Sequence, residues 1–361
     1  MFKNIFKNKN VIITGHTGFK GSWLTVWLLM LGANVTGISL EPKKVSHFNL
    51  LNIKKNLRNN YYVDIRNVKK LEKIFIQTKP DFVFHLAAQA IVKKSYQDPR
   101  LTWETNVIGT LNVIEAIKKT NRTCVAIMIT SDKCYYNKEI LRGYREDDEL
   151  GGKDPYSASK ASAEHVIHSY YKSYFETKSK IKLCSVRAGN VIGGGDWSDD
   201  RIIPDCIKSW IKKEEVLIKN PYSTRPWQHV LEPLSGYLNL ASMMKNKKIL
   251  NGEKFNFGPN QNQNKTVLDL VKKMSQYFSE SEWVIKKNNA SIKESNLLKL
   301  NCIKAKNLLH WEPTLNFHDT AKFTSEWYKA YQSKKNIYQI TSQQIKDYYV
   351  RAKRKKLKWT K

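Results

Sequence analysis

Five residues in two short segments have the types and spacing for redox and acid–base chemistry on a hydroxyl group. Tyr156 and Lys160 stand four apart, directly after Asp154-Pro155. Asp154 suits a helix N-cap and Pro155 the first helical turn, which puts Tyr156 and Lys160 on one helical face. A phenol ordinarily ionises near ~10, and both a neighbouring ammonium and the positive end of a helix favour phenolate, so Tyr156 is expected to be a base with a depressed pKa. Upstream, Ser131, Asp132 and Lys133 close an apolar strand and add a hydroxyl, an acid and an amine. In a chain with 18 tyrosines and 62 lysines and arginines, Tyr-x-x-x-Lys alone has a simpler reading, a helix with a solvated lysine. The surrounding elements decide between the two.

Residues 11–14 predict a buried strand, residues 23–31 an apolar helix, and Gly15, Thr17, Gly18, Phe19 and Gly21 fall in the turn between them. Gly32 suits a helix C-cap and residues 34–40 a second strand, so the unit is βαβ. Gly15 permits a tight turn, Gly18 lets backbone N–H groups approach a pyrophosphate, and Gly21 allows close helix packing. Between a strand and a helix, that spacing marks a dinucleotide site rather than a flexible loop. Further strands are expected at 61–63, 81–85 and 124–130, with helices at 68–78 and from about 105 to 120. Their ends carry Asp64-Ile65, Leu86-Ala87-Ala88-Gln89 and Ser131-Asp132-Lys133, where open α/β sheets place chemistry.

The fold class is therefore α/β, a Rossmann-type doubly wound parallel sheet with a smaller C-terminal substrate-binding lobe. Residues 1–188 are assigned to the sheet domain and 189–340 mainly to the lobe, which carries short helices such as one expected over 266–278 and some segments of which return to the sheet. Residues 341–361 are read as a basic tail, disordered and solvated, because Arg351, Lys353, Arg354, Lys355, Lys356, Lys358 and Lys361 crowd it. The net charge of +30 raises nucleic acid as a partner, but the remaining lysines are scattered and form no stripe. Five cysteines, odd in number and without metal-ligand spacing, point to free thiols and no metal site. No signal peptide is read, and the run at 23–31 is too short to span a bilayer, so a cytoplasmic protein is expected.

On the glycine turn, Leu86-Ala87-Ala88, Tyr156-x-x-x-Lys160 and Arg187-Ala-Gly-Asn190-Val, the chain resembles the extended short-chain dehydrogenase/reductase family that modifies nucleotide-activated sugars. The likeness runs from Val11 to about Tyr328. Thr130-Ser131-Asp132-Lys133-Cys134-Tyr135, Gly193-Gly194-Gly195-Asp196-Trp197 and Arg225-Pro226-Trp227-Gln228-His229-Val230 resemble, more narrowly, its 4,6-dehydratase branch acting on CDP-glucose.

The resemblance implies that Gly15, Thr17, Gly18, Phe19 and Gly21 hold the pyrophosphate of NAD, that Asp64 and Ile65 flank its adenine, and that Ala87, Ala88 and Thr105 line the nicotinamide side. It makes Tyr156 and Lys160 the redox pair, with Lys160 also on the nicotinamide ribose and Ser131, Asp132 and Lys133 completing the catalytic set. Gln89, Asn190, Arg225 and His229 would reach the nucleotide sugar. Relatives acting on dTDP-glucose carry Asp-Glu where this chain has Asp132-Lys133, which leaves the C5 base open. Ser39-Leu40 before Glu41, followed by Lys43 and Lys44, leaves NADP open beside NAD. The same likeness implies a lyase with a recycled cofactor, a homodimer or homotetramer with neither nucleic acid nor a membrane span. A 4-epimerase or a dehydratase of another nucleotide hexose is the nearer rival, and a non-catalytic dinucleotide- or nucleic-acid-binding protein the remote one.

Overall fold

Seven strands build one sheet: β1 (Asn10–Thr14), β2 (Asn34–Ser39), β3 (Asn59–Tyr62), β4 (Phe82–His85), β5 (Cys124–Ile129), β6 (Ile181–Ala188) and β7 (Lys254–Phe257). The computed structural model describes residues 1–361 apart from 178, 247, 261, 262, 264, 280 and 286–296. In space the strands run β7-β6-β5-β4-β1-β2-β3, and every neighbouring pair is parallel. Strand order reverses between β1 and β4. The crevice beyond their carboxyl ends is where such a sheet binds ligands.

Because successive strand residues face opposite sides, each buried strand feeds two cores. Val11 and Ile13, Phe82 and Phe84, and Val125 and Ile127 enter one cluster, whereas Ile12, Val83 and Ala126 enter the other. The helices of these two cores include α1 (Phe19–Met30), α2 (Val68–Thr78), α3 (Gly109–Lys119), α4 (Pro155–Tyr170), α5 (Leu231–Asn246), α6 (Phe317–Gln332) and α7 (Ile337–Arg354). Residues of α2, α3 and α4 cover the second face; α1, α5 and α7 cover the first. The first cluster also takes in Cys206, Trp210, Trp227 and Leu270, so the part after residue 188 shares one core with the sheet.

Three expectations change in detail. The helix expected from 105 to 120 is interrupted: Glu104–Ile108 forms a π-turn ahead of α3, a widening often found at functional sites. The helical stretch expected over 266–278 shortens to Val267–Ser275, opened by a reciprocal cap between Thr266 and Asp269. The basic tail is not disordered. Ile337, Thr341, Ile345, Tyr348 and Ala352 recur at helical spacing and bury one face of α7, while Trp359 stacks on Phe2 at 5.1 Å. Its charges occupy the other face, so the segment reads by composition as a solvated tail.

Candidate active site

β1 delivers Gly15 with φ +77°, and a Cβ there would lie 2.8 Å from the Ala87 backbone nitrogen, so the turn rests directly on the segment after β4. Thr17 Oγ1 lies 2.7 Å from Ser39 Oγ and donates to the Leu40 carbonyl at 3.1 Å, tying the turn to the end of β2. Gly18 is the exposed N-cap of α1, Phe19 opens the helix, and a Cβ on Gly21 would run into the Gly15 carbonyl. The first N–H groups of α1 therefore emerge over a bare turn, a cradle that fits a pyrophosphate. Asp64, beyond β3, accepts three hydrogen bonds from the Arg66 guanidinium and one from its backbone N–H. Burial works to raise the Asp64 carboxyl, and Arg66 reverses this and holds it below its ordinary value. Ile65 is buried against Gly109.

Ala87, Ala88 and Thr105 are half-buried where β4 ends and the π-turn begins. Asn106 in that turn donates to the Gln89 carbonyl at 3.0 Å and to Ser159 Oγ at 2.9 Å, bolting the end of β4 to α4. The Gln89 amide bridges Thr102 Oγ1, at 2.9 Å, and the Ile91 N–H, at 2.7 Å.

α4 begins as its sequence dictates. Asp154 accepts from the Ser157 N–H at 2.9 Å and from its hydroxyl at 2.6 Å, a cap worth about 1 kcal/mol. Tyr156 and Lys160 follow on one face, and both are buried. Opposite them Ser131 Oγ donates to Asp132 Oδ1 at 3.0 Å and accepts from the Lys133 N–H at 3.3 Å, beside the Tyr156 side chain. The five residues of catalytic type thus meet in one place. Asp132 presses on Gly189, where any Cβ would overlap its carboxyl group, and Gln228 Nε2 holds that glycine by donating to its carbonyl at 3.0 Å. Burial raises the Asp132 carboxyl, against the pull of Lys133 and Lys20.

The depressed phenol expected at Tyr156 is not found. Burial pushes it up to about 12, and the Ser131 side chain only partly opposes this. The spacing of Tyr156 and Lys160 was readable, but the desolvation of the phenol was not. Lys160 moves the other way, lowered by burial to about 8.

Three charged residues join the cluster that sequence reasoning passed over. Lys20, in the second helical position of α1, is half-buried and lowered to about 8 by burial and by Arg201, with Asp132 and Asp196 acting against that shift. Arg201 in turn donates to Asp196 Oδ2 at 3.3 Å. Lys20 lies inside the glycine turn itself, so a charged residue at Gly-Phe-Lys-Gly was the available signal.

Of the expected sugar-nucleotide contacts, Asn190 and Arg225 are half-buried, Asn190 with φ +50° and Arg225 Nη1 donating to the Thr224 carbonyl at 2.9 Å. His229 is a correction. Its ring is wholly buried between Trp23 and Phe323, with centroids 5.7 and 5.6 Å away, and burial lowers it to about 3; it is a neutral core residue without exposure to a ligand. No metal-binding cluster occurs among the described residues, and no helix there is long and apolar enough to cross a membrane.

The GDP-mannose 4,6 dehydratase family model matches residues 12–324. A CDP-glucose 4,6-dehydratase from Salmonella typhimurium is 42% identical over 352 residues, 96% of this chain and 98% of the relative. A dTDP-D-glucose 4,6-dehydratase from Dictyostelium discoideum is 30% identical over 243 residues, 63% of this chain and 54% of the relative. Among solved structures, UDP-glucose 4-epimerase from Thermotoga maritima with UDP-glucose superimposes with a TM-score of 0.76 at 26% identity, covering 89% of this chain and 99% of that one.

Proposed function

The chain belongs to the GDP-mannose 4,6 dehydratase family, and from that premise we propose that it converts CDP-glucose to CDP-4-dehydro-6-deoxyglucose with loss of water. The cofactor we assign is NAD, held by the bare turn from Gly15 to Gly21 with Asp64, Ile65, Ala87, Ala88, Thr105 and Lys160 along its length. When bound, its nicotinamide supplies reversible hydride transfer, from C4 in the first step and to C6 in the last. Tyr156 removes the 4-hydroxyl proton, and the Ser131 hydroxyl steadies the new carbonyl. The ketone makes the C5 proton acidic. Lys133, or a water it positions, takes that proton, and Asp132 protonates the departing 6-hydroxyl. Asn190 and Arg225 are assigned to the substrate diphosphate and nucleoside, Arg225 through paired hydrogen bonds to oxygen.

The observation that carries this reading is Asp132, an acid whose pKa burial raises, hydrogen bonded to Ser131 and set beside Tyr156. A 4-epimerase has no leaving hydroxyl to protonate. The test offers the enzyme CDP-, dTDP-, UDP- and GDP-glucose deuterated at C4 and reads product mass and label position. We expect CDP-glucose to lose one water and to carry its deuterium at C6. Product of unchanged mass with the label still at C4 would make the protein an epimerase, and preference for another nucleotide would replace cytidine.

A further inference from the structure

Behind the acid Asp132 sits a glutamine with one end fully used and the other idle. Gln228 is 1% exposed, and its Nε2 donates to the Gly189 carbonyl at 3.0 Å and to the Phe257 carbonyl at 2.9 Å. Carbonyls only accept, so the end of the amide that faces both of them is the NH2. Among the described residues, the Oε1 at the other end is buried with no hydrogen-bond partner. An idle buried acceptor costs stability, and that cost is set against what the two carbonyls hold in place.

Phe257 ends β7 and Gly189 follows β6, so Gln228 bolts the exit of one strand to the end of its neighbour. The Gln228 N–H adds a bond to the Asn190 carbonyl at 3.3 Å, and Gln228 and His229 pair in register with Val191 and Ile192. One residue thereby fixes the backbone of both Gly189 and Asn190. Gly189 is the bed on which the Asp132 carboxyl group lies, since a Cβ there would overlap Oδ1, Oδ2 and Cγ together. Gly189 is itself buried, so backbone rather than water meets that face of the acid.

We propose that Gln228 is the positioning residue for the acid of the elimination: by holding Gly189 against Asp132, it keeps that carboxyl group dry and fixed in place. The role rests on the dehydratase reading, in which Asp132 protonates the departing 6-hydroxyl. Dryness is what the acid needs here. Burial raises Asp132, while Lys133 beside it, the Ser131 hydroxyl and Lys20 on α1 act the other way. Tyr156 on α4, Cys134 after Lys133 and Tyr237 on α5 also feel its charge, and Lys160, Arg201 and Asp196 bear on Lys20. A carboxyl group faced by such cations holds its proton only while water is kept from it. Loosening Gly189 hands the balance to the cations.

Two measurements test the role. The first needs neither cofactor nor substrate: the infrared carbonyl stretch of protonated Asp132, taken as the difference from Asp132→Asn, is titrated in the wild-type enzyme and in Gln228→Met. Methionine keeps the side-chain volume and removes both hydrogen bonds. The midpoint should fall by about one pH unit in Gln228→Met. Gly189→Ala displaces the carboxyl group directly and should lower the midpoint as well, so it decides the matter should Gln228→Met not fold. An unchanged midpoint in a folded variant overturns the role.

The second measurement follows reduced nicotinamide and product from CDP-glucose. In Gln228→Met elimination should slow by roughly 10- to 10²-fold while the first oxidation stays within about twofold, so reduced cofactor accumulates. The 6-deoxy-6-fluoro analogue, whose leaving group needs little acid assistance, should restore elimination. In an Asp132→Asn background the same substitution should cost almost nothing more, because the acid it positions is gone. Oxidation and elimination slowed alike, with no rescue by the fluoro analogue, would make Gln228 a packing residue only. If the wild-type enzyme dehydrates none of the nucleotide glucoses, the proposed function fails, and the infrared titration still decides whether Gln228 governs Asp132.

Discussion

Thr130 and Ser131 are neighbours in the chain, and each hydrogen bonds a buried carboxyl group, yet the two acids are driven in opposite directions. Thr130 donates to Glu164 at 2.5 Å, and Ser131 donates to Asp132 at 3.0 Å. Burial raises both, but at Glu164 the Arg187 guanidinium more than reverses it, through bonds of 3.0 and 2.8 Å, and holds the acid at about 2. Ser185 adds a further donor at 2.8 Å. Asp132 faces Lys133 and Lys20 at longer reach, and burial wins. A fully matched charge becomes a fixed part of the frame. The incompletely matched acid keeps a pKa that chemistry can use, which is why perturbed groups gather at active sites.

The comparison breaks most severely at Tyr156. Replacing it with phenylalanine removes the proton acceptor while leaving the packing of α4 intact, so turnover should fall by ~10² to 10⁴-fold with an unchanged melting temperature. Near-normal turnover would take Tyr156 out of the chemistry.

Glu164→Gln attacks the matched acid. Leaving the wholly buried Arg187 without its counter-charge should cost about 3–5 kcal/mol in denaturant unfolding, whereas Glu164→Leu with Arg187→Met should recover much of that loss. Glu164 has a lowered folded pKa, so its stabilisation is present above its unfolded value and should disappear as pH falls toward about 2. Equal losses in the single and double variants would mean that the pair's charge is not what holds it.

Glu232 sharpens the same contrast by supplying burial with only neutral donors. It accepts from the Thr314 and Leu315 N–H groups and from the Tyr348 hydroxyl, and burial raises it to about 7. A raised folded pKa means that its contribution is full below the unfolded value and is lost as pH climbs through about 7. Wild type should therefore lose up to about 3 kcal/mol relative to Glu232→Gln between pH ~4 and ~8. Parallel stability curves for the two proteins would show that Glu232 does not titrate in this range.

Much of the frame was legible because its signals are local. The helix expected at 68–78 is α2 residue for residue, and the Asp154 cap and the glycine turn depend only on neighbours in the chain. The cluster of Ser131, Asp132, Tyr156 and Lys160 was legible as a set of residue types. Its proton affinities were not, because desolvation comes from packing by distant segments: Tyr156 was expected low and is raised, and His229 was expected at the substrate and lies in the core. Gly189 carries no chemistry of its own, and only the position of Asp132 shows why no side chain fits there. β7 was hard to see, four residues long and separated from β6 by 65 residues, and the stripe of α7 was hidden by its own lysines.

The loop from Gly193 to Trp197 is held from two directions, by Trp23 Nε1 donating to the Gly194 carbonyl across 171 residues and by the Tyr328 hydroxyl donating to the Asp196 carbonyl across 132. Contacts that span so much chain form late, since their closure entropy is spent before they return any stability. A chain leaving the ribosome completes the glycine turn and strands β1 to β5 while residues beyond 300 are still unmade. Asp196, which Arg201 grips beside Lys20, waits for α6. A partly synthesised chain should therefore hold a dinucleotide long before it is able to act on a sugar.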